Sequence, residues 1–175
     1  MLIWLFMQNH QFKLAFLQAK AIDKRLKEDG SRIYEMADIF LDNSYYDLAI
    51  DSYKYIIKKG KDNPYYIDAY INKLYAYNQL VEKNADAEAL QKLDKLYLST
   101  INELDVNRNT ILLLSNYAHF KAFYQHDLQK AADILDEAML IPNLYKSDLA
   151  ACKLEYADIM LLSNKVWTAL LYYSQ

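Results

Sequence analysis

Histidine and cysteine, the most specific signals of a metal site or a nucleophile, are few: three histidines and one cysteine in 175 residues. His10 falls in the turn QNHQF. His119 and His126 stand seven residues apart, a spacing that could share a helix face, but His126 falls in an expected turn. No carboxylate is reliably placed to complete a ligand set, so structural or surface roles fit these histidines better than a metal site. Cys152 lies in LAACKLEY, among helix formers at an apolar spacing, with no histidine near it in sequence. It reads as a buried thiol, not a nucleophile, and one cysteine makes neither an internal disulfide nor a thiolate zinc cluster. From Asp105, DVNRNTILLLSN places Asp105, Asn107 and Asn109 at alternate positions, as a calcium loop would. Thr110 stands where that loop needs glycine, however, and Asn116 where it needs a bidentate glutamate, so a turn and a helix cap are expected. Phosphate-binding glycine loops, nucleophile elbows and zinc-protease helices do not occur. The expectation is a non-enzymatic chain with no cofactor and no metal.

The elements that carry these residues follow from composition. Two glycines and two prolines are too few for the turns of a sheet protein of this length, so the chain reads as all helix. Hydrophobic residues make up 54% and charged residues 25%, with a net charge of −3, a balance without the basic excess that nucleic acid or an anionic membrane would call for. Seventeen tyrosines are the one oddity. Many sit at core spacing, Tyr53 and Tyr173 among them, and outward-facing ones are good binding residues. The opening MLIWLFM has no basic leader or cleavage site and is too short to span a bilayer. Both ends stop inside apolar helical patterns and read as cuts in a longer, bacterial protein. With no targeting segment, cytoplasm and cell envelope or periplasm stay open. Leu2, Ile3, Leu5 and Phe6 at one end, and Leu170, Leu171 and Tyr172 at the other, are expected to promote self-association.

One phrase occurs twice. ADIFLDNSYYDLAIDSY runs from Ala37 to Tyr53, and ADIMLLSNKVWTALLYY from Ala157 to Tyr173. Anchoring on the second alanine aligns Ala15, Ala49, Ala131 and Ala169, with Ala89 a weaker member, at steps of 34, 40, 42 and 38 residues. Tyr46, Ala49, Ile50, Tyr53, Ile56 and Ile57 fall on one helical face, and Gly60 with Asn63-Pro64 ends that helix. Phe12, Ala15, Phe16, Ala19, Ile22 and Leu26 make the same stripe before Asp29-Gly30. The map is ten helices in five antiparallel pairs: 1–8 and 11–28, 31–43 and 46–60, 65–81 and 85–104, 108–124 and 127–140, 146–163 and 165–175. Ser31, Asp127 and either Ser147 or Asp148 are the expected N-caps, and Lys59 is expected on a solvated helix end. Pairs of this kind cannot cover their own apolar faces and must stack into one solenoid.

These residues resemble the tetratricopeptide repeat. Ile33, Met36, Ala37 and Phe40 stand where that family has its large-large-small-aromatic first helix, and Ala49, Tyr53 and Pro64 match its second helix and closing proline. Tyr156, Ala157, Met160, Ala169 and Tyr173 repeat the arrangement. Ala118, Ala131, Ala138 and Pro142 follow it with one extra residue, and the degenerate third unit rests on Ala76 and Ala89. The family's tryptophan and first-helix glycine are missing, alanine taking the glycine's place. The resemblance implies a right-handed α-solenoid of about five helix pairs, a single segment with units near 1–29, 30–64, 65–106, 107–143 and 144–175. It also implies a concave face, lined by first helices, that holds a protein or peptide partner. The matching positions are Tyr34, Asp38 and Leu41; Tyr70, Lys73 and Tyr77; Ser115, His119 and Phe123; then Leu154 and Asp158. The family's lysine-asparagine clamp for a C-terminal carboxylate is not recognisable. A protein-binding scaffold is the leading expectation. The alternative is a structural spacer or sensor arm of a larger protein whose activity lies elsewhere.

Overall fold

The computed structural model describes residues 2–83 and 86–175 and contains ten α-helices among them, with no strand. They are α1 Leu2–Gln8, α2 Phe12–Leu26, α3 Ser31–Asp42, α4 Tyr46–Ile57, α5 Tyr66–Lys83, α6 Ala87–Leu104, α7 Ile111–Phe123, α8 Leu128–Met139, α9 Lys146–Leu162 and α10 Val166–Tyr173. Each expected helix is present, most ends agreeing within a few residues, while the expected starts at residues 1 and 85 lie outside the described residues. The chain forms two compact units, Met1–Asn84 and Ala85–Gln175, dividing within the expected third pair.

In the first unit α1 packs on α2, α3 on α4, and α4 on α5. The core is small residues beside rings: Ala15, Ala37, Ala49 and Ala69 are fully buried, and Phe40 and Tyr53 with them. Alanine at these positions lets helix axes approach closely, and the neighbouring aromatic fills the volume left beside the crossing. Gly30 marks another close approach. Its φ is +91°, and a Cβ built on it would lie 2.6 Å from Ile56 Cδ1. Gly30, and not Ser31, is the cap of α3. Ser31 is the first helical residue, and its N–H donates to Asp29 Oδ1 at 2.9 Å, holding the Asp29 carboxyl below its usual value.

In the second unit α7 packs on α8, α8 on α9, and α9 on α10. Ala118, Ala131, Ala157 and Ala169 are buried as the doubled phrase requires. Tyr97 is also fully buried, stacked on Tyr117 with ring centroids 5.0 Å apart. Ala89 proves to be the wrong anchor. It is only half-buried near the start of α6, its N–H capped by Asp86, and Leu93 stands four residues before buried Tyr97 as Ala49 stands before Tyr53. The expected register was one helical turn early. Asp127 does cap α8, accepting the Lys130 N–H at 3.0 Å. At α9 the cap is Tyr145, not Ser147 or Asp148, and its side chain makes no cap hydrogen bond.

The turns inside pairs share one geometry. His10, Ser44 and Asn164 each have φ near +60°, and the next residue's N–H bonds back to Phe6, Phe40 or Met160 O at 2.8–2.9 Å. His126 takes the same left-handed place in a turn one residue longer, where the Asp127 N–H reaches Lys121 O at 2.9 Å. Two of the three histidines are therefore turn residues, suited to a conformation that asparagine and histidine tolerate better than bulkier residues do.

Candidate functional site

Cys152 is fully buried, and burial pushes its thiol up to about 11, away from reactive thiolate. The Asp105 loop spends its polar groups on itself. The Thr110 hydroxyl donates to Asp105 O at 2.8 Å, the Asn107 N–H donates to Thr110 Oγ1 at 2.9 Å, and the Asn109 N–H to Asn107 Oδ1 at 2.9 Å. Among the described residues no group of three His, Cys, Asp or Glu side chains is arranged to hold a metal ion, and no helix is long and apolar enough to cross a membrane.

The first-helix positions carry polar networks. In the first unit Tyr34 stacks on Tyr65 at 4.8 Å and accepts a hydrogen bond from Asn72 Nδ2 at 3.1 Å. Asp38 accepts the Tyr53 hydroxyl at 2.6 Å. Loss of water raises the Asp38 carboxyl above its usual value, the Tyr53 bond opposes that, and Asp42 and Asp68 raise it further. In the second unit His119 Nδ1 lies 2.9 Å from Glu155 Oε1, and the ring stacks on Phe123 at 4.3 Å. Ser115 hydrogen-bonds toward Cys152. Asp158 accepts the hydroxyl of Tyr173. The doubled phrase thus encodes a second device: in both copies the aspartate after the alanine receives the hydroxyl of the tyrosine fifteen residues on. Tyr53 is buried while Tyr173 is 41% exposed, because α4 is covered by α5 and no described helix follows α10.

The expected positions on α5 do not join Tyr34 and Asp38. Tyr70, Lys73 and Tyr77 lie on another side of the helix: the Lys73 ammonium sits 4.2 Å from the Tyr70 ring centre, and Tyr77 is approached by Lys54 of α4 at 5.8 Å. Lys73 is 7% exposed, and burial, aided by Lys54, lowers its ammonium to about 8. The α5 residues that meet Tyr34 are Tyr65 and Asn72. The open face of α5 is marked by Asp68, Tyr75 and Glu82, exposed at seven-residue steps with Asn72 and Gln79 between them, while Ile71, Lys73 and Leu74 are buried on the side the expected positions share.

Sequence reasoning also missed two partly buried lysine–aspartate–tyrosine clusters. Asp23 is 1% exposed, and its Oδ2 meets both Lys59 Nζ and the Tyr55 hydroxyl at 2.6 Å. Lys59 Nζ also donates to Glu28 O at 2.7 Å, so this side chain ties α2 to the end of α4 and is not on a solvated end. In the second unit Lys121 pairs with Asp94 at 2.7 Å, and Tyr117 donates to the same carboxylate at 2.9 Å. These carboxylates and amines come from different elements, so no local spacing announces them.

No family model matches this chain, and no curated protein matches it. Solved structures do match. One is TTC0263, a thermophilic TPR protein of Thermus thermophilus, at 17% identity over 99% of this chain and 85% of that one, with a TM-score of 0.68. Two others are structures of a Podosopora anserina kinesin light chain with nearly identical TPR-like repeats, the second a variant of the first. They are 14% and 15% identical, at TM-scores of 0.62 and 0.63, covering 99% of this chain and 89% of theirs. The fold is the tetratricopeptide-repeat fold. At these identities the likeness speaks to the fold alone. Within it α3, α7 and α9 are the first helices of tetratricopeptide-like pairs, and α4, α8 and α10 their second helices. The Tyr34–Asp38 and His119–Phe123 clusters therefore both lie on first helices.

Proposed function

We propose that the chain is a non-catalytic protein-binding scaffold that holds a segment of a partner against its first-helix faces. The observation that carries the reading is the chemistry of those faces. In the first unit aromatic rings, Tyr34 and Tyr65, stand with the carboxylates Asp38, Asp42 and Asp68; in the second, His119 and Phe123 stand with Glu155 and Asp158. Rigid aromatics supply contact area at low entropic cost. The carboxylates favour a basic segment over an acidic one. Ser115 adds a small polar contact on the same face as His119. Tyr70, Lys73 and Tyr77 are left out of the surface, since they lie on another side of α5. With no network of these groups built for proton transfer or nucleophilic attack, the reading assigns no reaction to the chain.

The test is a random peptide library displayed on phage, selected on the immobilised protein. Selected peptides should be rich in Lys and Arg and should bind more weakly as salt rises. Phe123→Ala, which removes a ring already 39% exposed, should weaken the best peptide by about 1–2 kcal/mol. Asp51→Ala, an exposed position on α4, should change it by less than about 0.5 kcal/mol. Failure of the library to enrich any sequence would favour the spacer role.

A further inference from the structure

Three charged side chains are buried among the described residues: Asp23, Lys73 and Lys121. Two of them meet the opposite charge, Asp23 with Lys59 at 2.6 Å and Lys121 with Asp94 at 2.7 Å. Lys73 does not. Its ammonium lies 4.2 Å from the ring centre of Tyr70, one turn before it on α5, and the charge acting on it from α4 is the like charge of Lys54. Lys54 Nζ stands 5.8 Å from the ring centre of Tyr77, one turn after Lys73. The carboxylate near Lys54 is Asp51, 3.7 Å away on α4 itself, in a pair whose two side chains are exposed to water. Among the described residues no carboxylate or carbonyl oxygen holds the Lys73 ammonium.

Burying an ammonium without an anion is costly, and the face of a ring offsets only part of the lost hydration. A like charge beside it adds to the cost. Burial first, and Lys54 second, therefore lower the amine to about 8. At neutral pH its neutral form is then present roughly two hundred times more often than at an ordinary lysine. A neutral amine is a nucleophile, and the surroundings decide which product they favour. An uncharged amide would gain nothing from Lys54. An addition that ends as an anion would turn the repulsion between α4 and α5 into attraction. Carbon dioxide makes such an addition, and it is small and uncharged enough to reach an amine on a side chain that is 7% exposed.

We propose that Lys73 is a carbon dioxide site, occupied as a carbamate that pairs with Lys54. The Nζ lone pair attacks the carbon of CO2, and a C–N bond forms. One C=O π bond opens onto its oxygen to make the carboxylate, and the proton left on nitrogen passes to water. Nothing is oxidised or reduced, and the reverse steps release CO2. Lys54 and Lys73 both lie in the first unit, on the helices α4 and α5 that pack together there, so occupancy strengthens that packing. The site needs no peptide on the first-helix faces and stands or falls apart from that reading.

The test equilibrates the protein at fixed pH with isotopically labelled bicarbonate as the source of CO2, with chloride at matched ionic strength as the control. A trialkyloxonium salt then esterifies any carbamate, and peptide mass spectrometry locates the label. Label on Lys73 should exceed that on every other lysine several-fold, and Lys73→Arg should remove it. Lys54→Gln, an exposed position, should lower label on Lys73 several-fold, because it both restores the proton and removes the cation that holds the product. This second variant leaves the buried side chain in place and does not depend on a substitution there folding. Thermal melts of the wild type should rise with CO2 at constant pH, and those of Lys73→Arg should not. Label spread evenly over the lysines, bicarbonate that binds without any trapped adduct, undiminished labelling in Lys54→Gln, or a wild-type melting point indifferent to CO2 would each overturn the proposal.

Discussion

Asp38 shows how much one carboxylate does here. Tyr53 is fully buried, and its hydroxyl ends on Asp38 Oδ1. Asp38→Ala should therefore cost about 1–3 kcal/mol, the penalty of a buried donor without a partner. Asp38→Asn keeps an acceptor oxygen and removes the repulsion from Asp42 and Asp68, so it should be at least as stable as the wild type at neutral pH. The sign of the pH dependence follows from the raised carboxyl, with loss of water as its first cause. A group whose pKa is higher folded than unfolded contributes stability fully below the unfolded value and loses it as pH rises through the folded value. Thermal melts should show the wild type losing ground to Asp38→Asn between the ordinary aspartate value of 3.8 and neutrality. An Asn variant less stable than the wild type at neutral pH would show that ionised Asp38 is the better acceptor. At this scale the sequence was legible where small residues recur, as at Ala37 and Ala157. The aspartates that follow them were read as partner-facing because a hydrogen bond reaching fifteen residues to the next helix has no local periodicity to reveal it.

For the elements, helix existence and the short turns follow from apolar spacing, and in the turns within pairs the left-handed residue is His10, Ser44, His126 or Asn164. Gly30 and Gly60 separate two demands on glycine. Both have positive φ, +91° and +102°, but a Cβ at Gly60 meets nothing within 4 Å, whereas at Gly30 it meets Ile56 and Lys59. Gly60→Ala should cost about 1–3 kcal/mol for backbone strain alone. Gly30→Ala should cost more, because the ends of the Ile56 and Lys59 side chains must also give way; urea unfolding of the two variants measures the difference, and equal costs would show that these side chains give way freely. Ala37→Leu should cost about 1–3 kcal/mol by overpacking a position with no exposed surface. The third pair was the illegible one. Leu93 replaces the alanine that anchors other second helices, and on α5 the tyrosines Tyr70 and Tyr77 drew the reading away from the polar stripe of Asp68, Asn72, Gln79 and Glu82.

In the whole molecule, two compact units each carry first helices whose outward groups are aromatic and acidic, on a tetratricopeptide-like arrangement of helices. Composition carried no basic excess, and the repeated phrase identified the fold. Partly exposed positions recur every fourth residue on α3 and α7, at Tyr34 and Asp38 and at Ser115, His119 and Phe123, and these are the positions of the proposed first-helix face that spacing alone suggests. The most direct measurement is amide chemical-shift mapping on isotopically labelled protein titrated with the basic peptide taken from the library. Perturbations concentrated on α3, α5, α7 and α9, centred on Tyr34, Asn72, His119 and Glu155, are the expected result. Perturbations confined to α2, α4, α8 and α10 would contradict the first-helix account.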